Sequence, residues 1–222
     1  MIALLLLAAS DPALDALFAA PPAPPSCSVT LTVDVREAAG EAPERQVYAY
    51  DREADAWTYV TQDGETPPDA EADEAEDEAD DRTLPAAYYA EALGRSDLAW
   101  APVEGSPGLY RADDLPDGEV EMSGRDMSSR LALEYQVTQT PEGPRLVTDA
   151  ARLKEAFRVP FIARVDALSI ERDYAPAGPE TGAPGAMLPT HERIMFRGDV
   201  TGQARDSLIT TEYGGWDCVP AE

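Results

Sequence analysis

Residues 27–36 read "CSVTLTVDVR", in which Cys27, Val29, Leu31, Val33 and Val35 alternate with Ser28, Thr30, Thr32, Asp34 and Arg36. Successive side chains of a strand point to opposite faces, so this period of two predicts a β-strand with one buried face. The same alternation returns in "QVYAY" (46–50), "AWTYV" (56–60), "GEVEM" (118–122), "RLALEYQVT" (130–138), "FIARVDALSIER" (161–172), "ERIMFRGDV" (192–200) and "DSLITTEY" (206–213). Gly, Pro and Asp mark the gaps between these runs. Strands that are dry on one face and wet on the other belong to antiparallel sheet, so the fold class is mainly β (α+β).

Three segments carry helical spacing instead. "DPALDALFAA" (11–20) puts Pro12 at a first helical position and gathers Leu14, Leu17 and Phe18. "TLPAAYYAEALG" (83–94) offers Thr83 as a cap, pairs Tyr88 with Ala92 and Tyr89 with Leu93, and stops at Gly94. "TDAARLKEAFRVP" (148–160) aligns Ala150, Leu153 and Phe157 on one stripe ahead of Pro160.

The most unusual stretch is "DAEADEAEDEADD" (69–81), nine carboxylates in thirteen positions with no basic group. Ala and Glu favour helix, but the acids repeat at i,i+4 and repel, and nothing larger than alanine is there to bury. The run is therefore expected as a disordered acidic insert spanning 67–82. A calcium loop is the sharper reading, yet the run lacks the glycine and the D-x-[DN]-x-[DN]-G spacing that shape one. No metal ligand set is assigned.

Acidity extends beyond this insert. Removing its nine charges from the net −26 leaves −17 on the other residues. Such a surface repels phosphate backbones and anionic headgroups, which excludes nucleic acid and anionic membrane surfaces as partners. The length of 222 residues suits one domain with a proper core.

The start, "MIALLLLAAS", is apolar from Ile2 to Ala9, with small residues at Ala8 and Ser10. This pattern predicts a signal peptide over 1–10 and an exported chain, although no Lys or Arg precedes Arg36. It is too short to span a bilayer, so an integral membrane protein is not expected. Residues 11–26 then form a short helix and a Pro-rich linker, and 27–222 a single domain. Cys27 and Cys218 are the only cysteines. In an oxidising compartment they are expected to pair, the alternatives being two thiols or a link between chains.

Catalytic signals are lacking: there is no G-x-S-x-G turn and no S-x-x-K. Acid pairs can be proposed anywhere in a chain with 43 acids and so discriminate nothing. His191, the only histidine, has no nameable nucleophile beside it and reads as solvent-facing or hydrogen-bonded rather than catalytic. No catalytic residue and no cofactor is assigned, and the chain is read as a non-enzyme.

The order of elements resembles a known family. "YAYDREADAWTYVTQDGETPP" (48–68), two strands joined by a turn and closed by D-G-x-x-P-P, is similar to the corresponding part of the bacterial LolA-like, outer-membrane lipoprotein-sorting proteins. "VPFIARVDALSIERDY" (159–174) and "MLPTHERIMFRGDVTGQARDSLITTEY" (187–213) resemble that superfamily's final strands, where a Pro-containing link leads into an antiparallel pair. The resemblance implies a strongly curved antiparallel sheet, an incomplete barrel with two or three short helices as a lid. It implies a monomeric periplasmic carrier, in a Gram-negative bacterium, for a lipid, an acyl chain or a lipidated protein. The expected ligand-binding residues are inward-facing: Val29, Leu31, Val33, Val35, Trp57 and Tyr59. The rival expectation is a periplasmic structural or partner-binding domain whose interior is filled by side chains, as is normal for small barrels.

Overall fold

The computed structural model describes residues 11–19, 21–80, 83–122, 125–159 and 163–220. The expected signal segment 1–10 lies outside these residues. Helix α1 (Pro12–Phe18) precedes strands β1 (Ser26–Arg36), β2 (Glu44–Asp51) and β3 (Ala56–Gln62). Helices α2 (Asp69–Asp80) and α3 (Tyr88–Leu93) follow, then β4 (Ala101–Pro102), β5 (Leu109–Ala112), β6 (Glu121–Met122) and β7 (Arg125–Asp126). Six further strands complete the chain: β8 (Leu131–Thr140), β9 (Gly143–Leu153), β10 (Phe157–Val159), β11 (Ala163–Pro176), β12 (Met187–Val200) and β13 (Gln203–Val219).

Eleven of these strands form one antiparallel sheet in the order β3-β2-β1-β13-β12-β11-β9-β8-β5-β4, with β10 paired to β11. The expected mainly-β, incomplete barrel is what forms, because β3 and β4 end the sheet without pairing to each other. Strand β1 supplies the join: β2 lies on one side of it and β13, the last strand, on the other. At that seam Cys27 sits directly opposite Cys218 and the two are disulfide-bonded, 191 residues apart in sequence. On the chain-entropy account, closing a loop of that size stabilises the fold by about 5 kcal/mol.

Register aligns the inner face into rows. One row runs Val35, Ile209, Ile194, Ile170, Ala151, Leu133 and Ala112 across seven strands, all apolar. The helices pack on this face. Leu14 and Leu17 of α1 and Tyr89, Ala92 and Leu93 of α3 bury against Tyr110, Tyr135, Leu146 and Tyr174. Helix α1 forms as the sequence predicts, with the Asp11 carboxylate accepting the Ala13 N–H at 2.8 Å as its cap. Helix α3 ends at Gly94 as expected, but Thr83 caps nothing: a 3₁₀ turn over Pro85–Ala87 precedes the helix, and its flanking residue is Leu84.

Two expectations are overturned. The acidic run is a helix over Asp69–Asp80, not a disordered insert; Asp81 and Arg82 lie outside the described residues. Its alanines explain why: Ala72, Ala75 and Ala79 share one stripe and pack against the cluster of Val29, Tyr48, Tyr50, Trp57 and Tyr59. Glu76 adds a specific anchor, accepting the Tyr59 backbone N–H at 2.9 Å. Because β3 is an end strand, that contact also occupies its outward edge. Burial and high intrinsic propensity together outweigh a carboxylate repulsion that water screens.

The predicted helix 148–160 is likewise absent: residues 148–153 end β9 and Phe157–Val159 form β10, while Pro160 lies outside the described residues. Helical spacing there is overridden by pairing on both sides, with β8 and with β11. Small residues are what the position needs. Glu134, Ala150 and Glu171 are consecutive across β8, β9 and β11, and Arg152 reaches over Ala150 to both acids, at 2.7 and 2.5 Å. Arg111 at 3.0 Å from Glu134 and Arg193 at 3.9 Å from Glu171 extend this ion-pair ladder along the outer face. The chain's few cations thus keep one face of an acidic sheet wet but internally compensated. Exposed His191 belongs to this outer face, as its sequence context suggested.

Candidate functional site

Beside the apolar row runs a second inner row, and its composition is different. Val33, Thr211, Glu192, Arg172, Asp149, Tyr135 and Tyr110 stand directly opposite one another across the same strands. The alternation of β11 reads Leu168, Ile170, Arg172, Tyr174, so a guanidinium arrives on the inner face by parity alone. Arg172 bonds Glu192 through its Nε and lies 4.0 Å from the Asp149 carboxylate. Its guanidinium carbon also sits 4.1 Å from the centre of the Tyr88 ring. Tyr174 donates to the other Asp149 oxygen at 2.8 Å.

Electrostatics follow from this burial. Removal from water raises the Asp149 pKa above the usual carboxylate range, against the opposing pull of Arg172 and the Tyr174 hydroxyl. Burial would lower the Arg172 pKa, but Glu192 and Asp149 hold it above its ordinary value. Tyr174 is pushed up by burial and by the neighbouring Asp149 charge. Next to this set, Arg95 pairs with Glu119 at 2.6 Å, and Tyr135 donates to the Ala92 carbonyl at 2.5 Å, tying α3 to β8. These charged groups pair with one another, so the network holds the middle of the sheet fixed.

Tyr88 and Glu192 also line a cleft of about 290 Å³ between the inner faces of β1, β2, β12 and β13 and the residues Thr83 and Pro85 that precede α3. Its floor is apolar: Leu31, Val33 and Val35 from β1, Ile209 from β13 and Ile194 from β12. Val35, Ile194 and Ile209 are only half-buried, so their methyls present apolar surface to the hollow. Trp57, Tyr48, Tyr88 and Tyr213 bring rings to it, with Tyr88 meeting Tyr213 edge-on at 6.4 Å. Thr83 and Pro85 close it from above.

Four of the six expected ligand residues, Leu31, Val33, Val35 and Trp57, are brought together in this cleft. Val29 and Tyr59 are not among its walls. They are buried in the core under α2, where Tyr59 stacks on Tyr48 at 4.8 Å. Sequence reasoning missed Ile194, Ile209 and Tyr213, although all three lie at inward parity in runs already read as strands. It also missed the buried charges, whose signal was an Arg at an inward position of β11 and a Glu at one of β12. Trp100 packs half-buried against the core, its ring centre 4.1 Å from that of Tyr135.

Among the described residues no group of three or more His, Cys, Asp or Glu is placed to hold a metal ion, and no helix is long and apolar enough to cross a membrane. No family model, no curated protein and no solved structure matches the chain.

Proposed function

We propose that this is a non-enzymatic binding protein, exported to an oxidising compartment, whose inner cleft holds a small apolar ligand. The observation that carries the reading is the half-buried aliphatic floor of Val35, Ile194 and Ile209 under a roof of Thr83, Pro85 and Tyr88. Apolar surface left in a walled hollow is worth about 25 cal/mol per Å² when a ligand removes it from water. At about 290 Å³ the cleft stands at the small end of ligand sites, which run from roughly 300 to 1,000 Å³. It suits one acyl chain or one ring system, and a lipidated protein with several chains is too large for it. Helices α1 and α3 cover the interior around Tyr110, Leu146 and Tyr174, and the neighbouring hollow of about 340 Å³ is lined by the charged Arg95, Glu119, Asp149 and Arg172, so the apolar floor is the one on the β1, β12 and β13 side. A LolA-like ancestry accords with an open antiparallel sheet carrying three helices, and the Cys27–Cys218 bond accords with export.

The test is titration of delipidated protein with the neutral fluorophore N-phenyl-1-naphthylamine, alongside Ile209→Trp, which fills the floor. Saturable binding by the native chain and its loss in a folded Ile209→Trp variant are expected. Equal binding by both, or none by the native chain, refutes the reading.

A further inference from the structure

We propose that Tyr88 sets the length of the ligand, its side chain being the wall between the apolar cleft and the charged hollow beside it. This rests on reading the cleft as a ligand site and adds the residue that limits what the site admits.

The wall has a face in each space. Among the described residues, Tyr88 and Thr83 border both the cleft of about 290 Å³ and the neighbouring hollow of about 340 Å³. Thr83 belongs to the roof, which leaves the Tyr88 ring as the partition. Its base is firmly seated, because Ala86 and Tyr89 on either side of it in the chain are buried and Tyr89 packs edge-on against Tyr174 at 5.2 Å. The ring is held as well. Arg172, which lines the hollow, places its guanidinium carbon 4.1 Å from the ring centre, and Tyr213, which lines the cleft, meets the ring edge-on at 6.4 Å.

The apolar row of the sheet passes from one space into the other. Val35, Ile209 and Ile194 line the cleft, and the next three members, Ile170, Ala151 and Leu133, line the hollow. Ile194 and Ile170 stand directly opposite each other and are both half-buried. Neighbouring strands lie about 4.8 Å apart, so the row runs about 10 Å within the cleft and about 24 Å from Val35 to Leu133. The shorter distance is about that of an octyl chain. A longer alcohol could keep its methylenes on Ile194 and Ile170 and bring its hydroxyl to the polar groups of Arg95, Glu119 and Asp149, all of which line the hollow. What bars it is the ring of Tyr88.

The experiment is displacement of N-phenyl-1-naphthylamine by the primary alcohols hexanol, octanol, decanol and dodecanol, each below its solubility limit, with the dye titrated separately into every variant. Each methylene removed from water is worth about fourfold in affinity. The native chain should gain by about that factor per methylene as far as octanol and gain nothing beyond it. Tyr88→Ala should go on gaining through dodecanol, while Tyr88→Phe, which keeps the ring, should stop where the native chain stops. A Tyr88→Ala variant that binds every alcohol more weakly, with the break still at octanol, overturns the proposal, since Tyr88 then only supports the fold. A native series that rises unbroken to dodecanol overturns it, and so does a Tyr88→Phe series that rises like Tyr88→Ala. If Tyr88→Ala does not fold, Tyr88→Leu takes its place and should move the break to decanol; an unmoved break counts against the wall in the same way. In each of these cases the alcohols still bind and the cleft reading stands. If no alcohol displaces the dye from the native chain, the cleft reading itself fails and the wall with it.

Discussion

The Tyr174 hydroxyl donates a 2.8 Å hydrogen bond to one oxygen of Asp149, while the other oxygen faces the Arg172 guanidinium at 4.0 Å. Asp149 is 6% exposed, in the middle of a sheet whose neighbouring row is wholly apolar. A buried pair of this kind is weak evidence for stability but a costly thing to break. Arg172→Met leaves Asp149 and Glu192 without their shared cation and should cost about 3 to 5 kcal/mol in denaturant unfolding. Tyr174→Phe removes one bond and should cost about 1 to 3 kcal/mol, since it strands a buried acceptor.

The raised Asp149 pKa has a definite sign in stability. The folded protein binds this proton more tightly than the unfolded chain does. Its contribution is therefore fully present below the ordinary carboxylate pKa of about 4 and is lost as pH rises through the raised folded value. Asp149→Asn cannot titrate. Urea midpoints across the acidic range should show the native chain losing stability relative to Asp149→Asn as pH increases. A constant difference between the two curves would mean that the Asp149 pKa is not raised.

Reduction of the Cys27–Cys218 bond releases the seam between β1 and β13. A double Cys→Ser variant should lose about 5 kcal/mol on the chain-entropy account, with the cleft floor loosened because β1 and β13 both supply it. Unfolding of oxidised and reduced protein side by side measures the loss.

Helix α2 guards an edge. Replacing 69–80 by a short Gly/Ser linker frees the Tyr59 N–H that Glu76 holds at 2.9 Å and uncovers β3. About 1 to 2 kcal/mol of stability should be lost, and the variant should self-associate in sedimentation, as exposed end strands do. A fully monomeric variant of unchanged stability would show that α2 protects nothing.

Much of this architecture was legible in the residues because alternation is a direct readout of a sheet with one dry face. β1, β8, β12 and β13 each follow from it. Segment 148–160 was misread because alanines and a Leu153–Phe157 spacing satisfy a helix equally well. Only the neighbours Glu134 and Glu171, distant in sequence, make small residues in a strand necessary. The acidic run was misread for the converse reason: its alanine stripe was visible, but the aromatic surface of β2 and β3 that buries it was not. Leu31, Val33, Val35 and Trp57 were found as cleft residues by parity. Val29 and Tyr59 share that parity but fall under α2, whose position no local pattern announces. Glu192 and Arg172 escaped notice because a charge at an inward position reads as a flaw in the alternation until its partners are known.

The central claim is that apolar ligands bind at the floor formed by β1, β12 and β13. Methyl NMR of selectively labelled protein titrated with octanol tests it most directly. Saturable shifts should concentrate on the methyls of Leu31, Val33, Val35, Ile194 and Ile209, with the exposed Val60 and Val219 unmoved. Shifts spread over Val60 and Val219, or no saturable change on the cleft floor, would contradict the account.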